Sequence, residues 1–162
     1  AWQTAADALV WTNKFGTVIR GLGYWLYVRV NQYRQLNSAG LVTAAPATSP
    51  VGTITGLAAA SNVAGNTMTV SWSSGNVPAA ETWQVYASSA VGLGRSNPRS
   101  SRRFITTLAG GTASGASIRT AWANRYGTTL PTNKQQVFVQ VLPMLTTVGA
   151  VGAPVACQMV CT

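Results

Sequence analysis

Residues Asn66-Thr-Met-Thr-Val-Ser-Trp-Ser73 alternate side chains at period two: Met68, Val70 and Trp72 fall on one face, and Thr67, Thr69 and Ser71 on the other. Alternation of this kind is the mark of a strand with one face buried. A second run, Thr82-Trp-Gln-Val-Tyr86, follows after a turn-rich gap, and a third, Gln136-Val-Phe-Val-Gln-Val-Leu142, is apolar at nearly every position. Strands with one wet face need a second sheet to cover the other, so the chain is expected to be built on a β-sandwich.

The chemistry open to this chain is narrow. It has 162 residues, enough for one domain with an appendage, and a chain of this size buries about two-thirds of its unfolded surface. Histidine is absent, which removes the usual general base, metal ligand and pH switch. The two acids, Asp7 and Glu81, are far apart in sequence, and zinc, calcium or magnesium would need Cys/His sets or several oxygen anions. The expectation is a non-enzyme without cofactor or metal. Against those two acids stand eleven Lys+Arg, a net charge of +9. Such a field draws in nucleic acid, anionic glycans or a membrane surface, or else only keeps a Ser/Thr-rich surface from self-associating. No run of 18 apolar residues occurs, so no helical membrane span is expected.

The N-terminal part reads as helical. Trp2, Ala5 or Ala6, and Leu9 recur at helical spacing over residues 1–12, and Asn13-Lys-Phe-Gly16 breaks the pattern. A second helix is predicted over 22–36, where Leu22, Trp25, Leu26, Val30, Tyr33 and Leu36 make a wide apolar stripe. Tyr24, Trp25, Tyr27, Val28 and Tyr33 spread bulky groups over more than one face. Such a helix is buried from several sides, either by the first helix and the sandwich or by another copy of the chain. Tyr24, Trp25, Tyr27 and Tyr33 are therefore the candidate assembly surface.

A Pro/Ala/Thr/Ser linker over 44–50 separates this helical segment, 1–43, from a sandwich over 51–162. A first strand is expected at about 52–57, a loop or short edge strand over 88–94, and a strand over 104–108. Arg95, Arg99, Arg102 and Arg103, interleaved with Ser, Asn and Pro, form the basic cluster. Arginines on such a loop suit phosphate contacts, since a homomeric contact has almost no acids to offer them. Gly110 to Gly115 lacks the Lys-Ser/Thr of a phosphate loop. Ser114 or Ser117 is placed to cap a short helix ending at Tyr126, with Ile118 and Trp122 on one face. A last strand from Pro154 puts Val155, Cys157, Met159 and Cys161 on its inner face. In an extended strand Cys157 and Cys161 stand about 13 Å apart, too far to bridge each other, so they either bury as small hydrophobes or pair with neighbouring subunits. Trp25, Trp72, Trp83 and Trp122 fall on predicted core faces, leaving Trp2 and Trp11 as tryptophans for a surface.

Six or seven strands at this spacing, with Thr-Val-Ser-Trp at 69–72, resemble an immunoglobulin or fibronectin type III-like sandwich, preceded here by helices and carrying a helix insert near 116–126. The chain also resembles a group of uncharacterised proteins of bacteria and their phages. The residues that carry this likeness are Ala1-Trp2, Asn13-Lys-Phe-Gly16, Gly23-Tyr-Trp-Leu-Tyr27, Asn31-Gln-Tyr-Arg34, Gly40-Leu41, Arg103-Phe-Ile105 and Arg125-Tyr-Gly127. Members of that group often carry a basic arm before the tryptophan, whereas this sequence opens at Ala1-Trp2 rather than with Met, as a processed product or a piece of a longer chain would. The resemblance implies no activity and leans toward structure at a virion or cell surface. The expected function is a self-assembling structural subunit, a phage virion component or an extracellular filament or surface protein. It would meet its own copies, other virion or surface proteins and, through the arginines, nucleic acid. The competing expectation is a binding module for glycans or nucleic acid that uses the basic loop and exposed aromatics.

Overall fold

The computed structural model describes residues 1–8, 18–36, 40–41, 43, 51–95, 101–127, 131, 134–146 and 151–162, with the backbone alone at Tyr33 and Leu36. The chain divides into two compact units, one of residues 1–53 with 143–153 and one of residues 54–142 with 154–162.

The first unit holds two helices, α1 (Trp2–Ala8) and α2 (Gly23–Leu36). Residues 9–12, expected to extend the first helix, lie outside the described residues, as does Trp11. Leu26 and Val30, one helical turn apart, are fully buried with Ala5, Ala6 and Leu145, and Trp2, Leu22 and Val51 pack around them. The helices meet at Gly23. A Cβ there would stand 2.7 Å from the main-chain nitrogen of Gln3, so only glycine allows this approach. The Gly23 amide donates to Gln3 Oε1 at 3.2 Å, and Gln3 Nε2 donates to Asp7 Oδ1. Trp2 lies edge-on to Tyr27 and donates its indole N–H to the Thr43 carbonyl at 2.8 Å.

The second unit is a mainly β sandwich of two antiparallel sheets. Its strands are β1 (Ala58–Asn62), β2 (Thr67–Ser71), β3 (Glu81–Ala87), β4 (Val91–Gly92), β5 (Arg103–Leu108), β6 (Ala116–Ser117), β7 (Gln135–Leu145, its last residues clustering with the first unit) and β8 (Val155–Val160). One sheet has the order β1-β2-β6; in the other, β7 lies between β3 and β8, and β3 carries β5 on its far side. In immunoglobulin lettering these are A-B-E and C′-C-F-G, the strand order of an immunoglobulin or fibronectin type III-like sandwich.

The first strand is not at 52–57 but at Ala58–Asn62, its register set by β2, with Ala59 opposite Val70 and Ser61 opposite Met68. Gly56, at φ +61°, interrupts the expected run, and a Cβ on it would meet Ser73. Three consecutive alanines are poor strand formers, so pairing with β2 outweighs their propensity.

Met68, Val70 and Trp72 face inward as their alternation predicts, against Trp83 and Val85 of β3, Val137, Val139 and Val141 of β7, and Met159 of β8. Trp72 meets Trp83 edge-on with ring centroids 4.9 Å apart. The acid Glu81 is buried too, accepting the Trp83 indole N–H at 2.9 Å. The inward face of β8 is as expected: Met159 and Cys161 are fully buried, Val155 and Cys157 partly, and both cysteines are free thiols. At the end of β8 the chain crosses to the other sheet. Cys161 bridges Ser61 in parallel, and the Val63 amide donates to the Thr162 carbonyl at 2.8 Å, so the edges of β1 and β8 cover each other.

Between β6 and β7 lies α3 (Arg119–Tyr126). Neither candidate serine caps it: the N-cap is Ile118, without a side-chain bond. The Ser114 hydroxyl instead accepts the Trp72 amide and donates to the Trp72 carbonyl, both at 2.8 Å, a strand-like bridge that removes it from the helix end. Ile118 and Trp122 enter the core as expected.

Candidate functional site

The candidate assembly residues part company on α2. Tyr24 is 80% exposed and Trp25 41% exposed. Trp25 was expected in the core stripe; its neighbour Leu26 takes the buried position instead, because the stripe at 22, 26 and 30 repeats every four residues and leaves 25 about 100° round the helix from 26. The Arg29 guanidinium stands over the Trp25 ring, 4.9 Å from its centroid, and burial of Arg29 pulls its pKa below the ordinary value. Tyr27 is half-buried between Trp2 and Tyr24, whose ring stacks on it at 6.4 Å. The side chain of Tyr33 lies outside the described residues. What α2 presents is thus an exposed pair, Tyr24 and Trp25, braced by a tyrosine and an arginine. Val18, Ile19 and Leu41 of the same unit are also exposed.

The basic cluster is split by the fold. Arg99 lies outside the described residues. Arg95 is exposed, and its carbonyl accepts from Gln136 Nε2 at 2.7 Å near the start of β7. Arg102 is half-buried and donates to Gln140 Oε1 at 2.8 Å, four residues further along that strand. Arg103 opens β5 opposite Ala87 of β3 and is exposed. The structure therefore keeps Arg102 and Arg103 as neighbours and sends Arg95 about 13 Å along β7.

Two groups join Arg103 that sequence proximity does not reveal. The Tyr126 hydroxyl donates to the Ala87 carbonyl, opposite Arg103, at 2.6 Å, and Trp122 Nε1 donates to the next carbonyl, Ser88, at 3.0 Å. The Ser88 carbonyl is available because the pairing with β7 changes at this residue. Ser88 still donates its amide to Phe138, but the Phe138 amide bonds the Ser88 hydroxyl at 3.1 Å in place of a carbonyl. The end of α3 is thereby held at the start of β5, bringing Arg125 to the same corner. Burial raises the Tyr126 phenol above its ordinary pKa, against the pull of the Arg125 and Arg103 charges. Beside Arg103, Phe104 is 49% exposed and lies edge-on to Tyr86, centroids 5.8 Å apart. Tyr86 is fixed in turn by donating to Gln84 Oε1 at 2.9 Å.

The sandwich unit carries seven of the eleven basic residues (Arg95, Arg99, Arg102, Arg103, Arg119, Arg125 and Lys134) and one acid, the buried Glu81. Arg119 is engaged with Asn66 Oδ1 at 3.0 Å. Burial pushes the Cys157 thiol up to about 11, against the pull of Arg102. Among the described residues no three His, Cys, Asp or Glu come together as a metal site, and no helix is long and apolar enough to cross a membrane.

No protein-family model matches the chain, and no curated protein does. Among solved structures, a Fn3-like protein from Clostridium thermocellum is similar at 16% identity and a TM-score of 0.43, over 69% of this chain and 94% of that one.

Proposed function

We propose that the protein is a non-enzymatic structural subunit that self-assembles, as a phage virion component or an extracellular filament or surface protein. The observation that carries this reading is the exposed Tyr24–Trp25 pair on α2, in the same unit as exposed Val18, Ile19 and Leu41. Exposed aromatics on a helix whose opposite face is already packed mark a contact surface. A second copy suits it. Aromatic and cation–π contacts of the kind Arg29 makes with Trp25 need no carboxylate, and the chain has two acids in all. The leaning toward virion over filament rests on the basic residues, which a packaged nucleic acid would meet, and on the resemblance to uncharacterised phage and bacterial proteins.

The test is the particle mass of the purified protein at low and at near-physiological salt, with absorbance at 260 and 280 nm on the same peak. A large species that survives both salts, and that Trp25→Ser reduces to a folded monomer, is the expected result. A monomer in both salts would overturn the reading.

A further inference from the structure

We propose that the Tyr24–Trp25 pair of α2 docks on the outer face of the four-stranded sheet of a second copy, so that two different surfaces meet and copies join head to tail. This rests on the self-assembly reading and names the surface that α2 meets. Three features of the sheet face point to it.

The first is a second aromatic surface. Val85 of β3, Val139 and Val141 of β7 and Met159 of β8 point into the core, so alternation turns Gln84, Tyr86, Phe138, Gln140 and Gln158 to the other side of the sheet. Phe104 of β5 pairs with Tyr86 and joins them on that side, and Gln158 pairs with Phe138. Phe104 is 49% exposed, and Val160, two residues beyond Gln158, is 44% exposed. With strands about 4.8 Å apart, β7, β3 and β5 span roughly 10 Å, the width of one helix.

The second is charge. The helical unit holds Lys14, Arg20, Arg29 and Arg34 against one acid, Asp7, and Arg29 stands on Trp25 itself. Two copies meeting α2 against α2 would crowd these guanidiniums together with only Asp7 to offset them, and like charges brought together oppose association. The sheet face offers glutamine amides instead. An amide accepts from a guanidinium and donates to a phenol oxygen, so it meets the arginine and tyrosine of α2 without a carboxylate. Arg102, which reaches this face, is engaged with Gln140.

The third is rigidity. Tyr86 donates its hydroxyl to Gln84 Oε1, Phe104 lies edge-on to Tyr86, and Gln158 donates to Gln136 Oε1 at 2.7 Å. On the other surface Tyr24 stacks on Tyr27, and Trp25 lies under Arg29. Both surfaces are held by contacts within their own copy, so little side-chain freedom is lost on docking. A contact between unlike surfaces leaves one of each bare at the ends of a growing assembly, and it builds rings or filaments rather than closed dimers.

The experiment is light scattering of the purified whole chain after size exclusion, on wild type, Trp25→Ser, Phe104→Ser and Thr107→Lys, alone and in equimolar mixtures, with circular dichroism to check that each variant folds. Thr107 is exposed and lies opposite Gln84, so the lysine adds a charge to the face without opening the core. Each variant alone should lose every species above the monomer. Trp25→Ser mixed with Phe104→Ser, or with Thr107→Lys, should give complexes of two chains and nothing larger, because the first keeps only its sheet face and the second only its helix. A folded Phe104→Ser or Thr107→Lys chain that assembles like wild type would overturn the proposal and leave self-assembly standing, with α2 meeting another surface. Folded variants that stay monomeric on mixing would overturn it too. A monomeric wild type would overturn both the proposal and the reading it rests on.

Discussion

The tryptophans of the sandwich and the Tyr24–Trp25 pair of the helical unit are used in opposite ways. In the sandwich, Trp72, Trp83 and Trp122 are buried, and each indole N–H has found an acceptor: the Gly75 carbonyl, the Glu81 carboxylate and the Ser88 carbonyl. In the helical unit, Tyr24 and Trp25 lie open beside a core of Leu26, Val30, two alanines and Leu145. The same residue types thus specify a fold in one unit and a surface in the other. The difference lies in whether a facing layer is there to receive them. A strand of a sandwich always has one; in the helical unit, among the described residues, the side bearing Leu26 and Val30 is covered while Tyr24 and Trp25 stay exposed.

The comparison can be broken most sharply at Trp72. Truncation to Ala removes the edge-on partner of Trp83 and should cost about 3–5 kcal/mol, enough to prevent the sandwich from folding. Urea unfolding followed by circular dichroism would show it, and a loss below about 1 kcal/mol would mean that the two sheets do not depend on this residue.

Gly23→Ala tests the other unit. The new Cβ would sit 2.7 Å from a main-chain atom of Gln3, so α1 must give way, with an expected loss of about 1–3 kcal/mol. Hydrogen exchange should then rise in α1 and α2 while β2, β3 and β7 keep their protection. Equal loosening of both units would contradict their separation.

A smaller effect comes from Cys157. Its thiol titrates at about 11 in the folded chain against an ordinary value of 9.0, so the folded state holds its proton more tightly. Stability from this group is full below pH 9 and is lost as pH rises from 9 to 11. Urea midpoints across that range should fall in the wild type and fall less in Cys157→Ala.

The smallest expected effect on stability is that of Trp25→Ser, about 0.5–1 kcal/mol, because the ring is 41% exposed and what it loses is chiefly its contact with Arg29. Its consequence should appear in particle mass instead. Unfolding of this variant would place Trp25 in the core after all and erase the contrast between the units.

What could be read from the sequence follows from the same physics. Period-two alternation located β2, β3 and the inward face of β8, because a pleated strand gives each residue one of two sides. It failed at Ala58–Asn62, where alanines carry no such signal and only β2 dictates the pairing. Helical spacing found the stripe through Leu22, Leu26 and Val30 but admitted Trp25 as well, since a stripe drawn through Leu22, Trp25, Leu26, Val30, Tyr33 and Leu36 is wide enough to take in a residue about 100° round the helix from Leu26. The arginine run at 95–103 was visible as composition, yet the corner that the structure builds from it draws on Arg125, more than twenty residues away. Its signal was the Arg-Tyr-Gly ending of α3, whose tyrosine finds its acceptor only where Ser88 interrupts the strand.

The parallel contact between Ser61 and Cys161 bears on the order in which the molecule can form. The Thr162 hydroxyl donates to the Ser61 carbonyl across 101 residues, so the seam between the two sheets closes only when residues about Cys161 and Thr162 have been made. Until then a nascent sandwich carries β1 and β7 with bare edges, and contacts this distant in sequence form slowly. A chain stopped short of β8 would offer β7 as a vacancy for the β8 of a neighbouring copy, and the seam that finishes one molecule would join two.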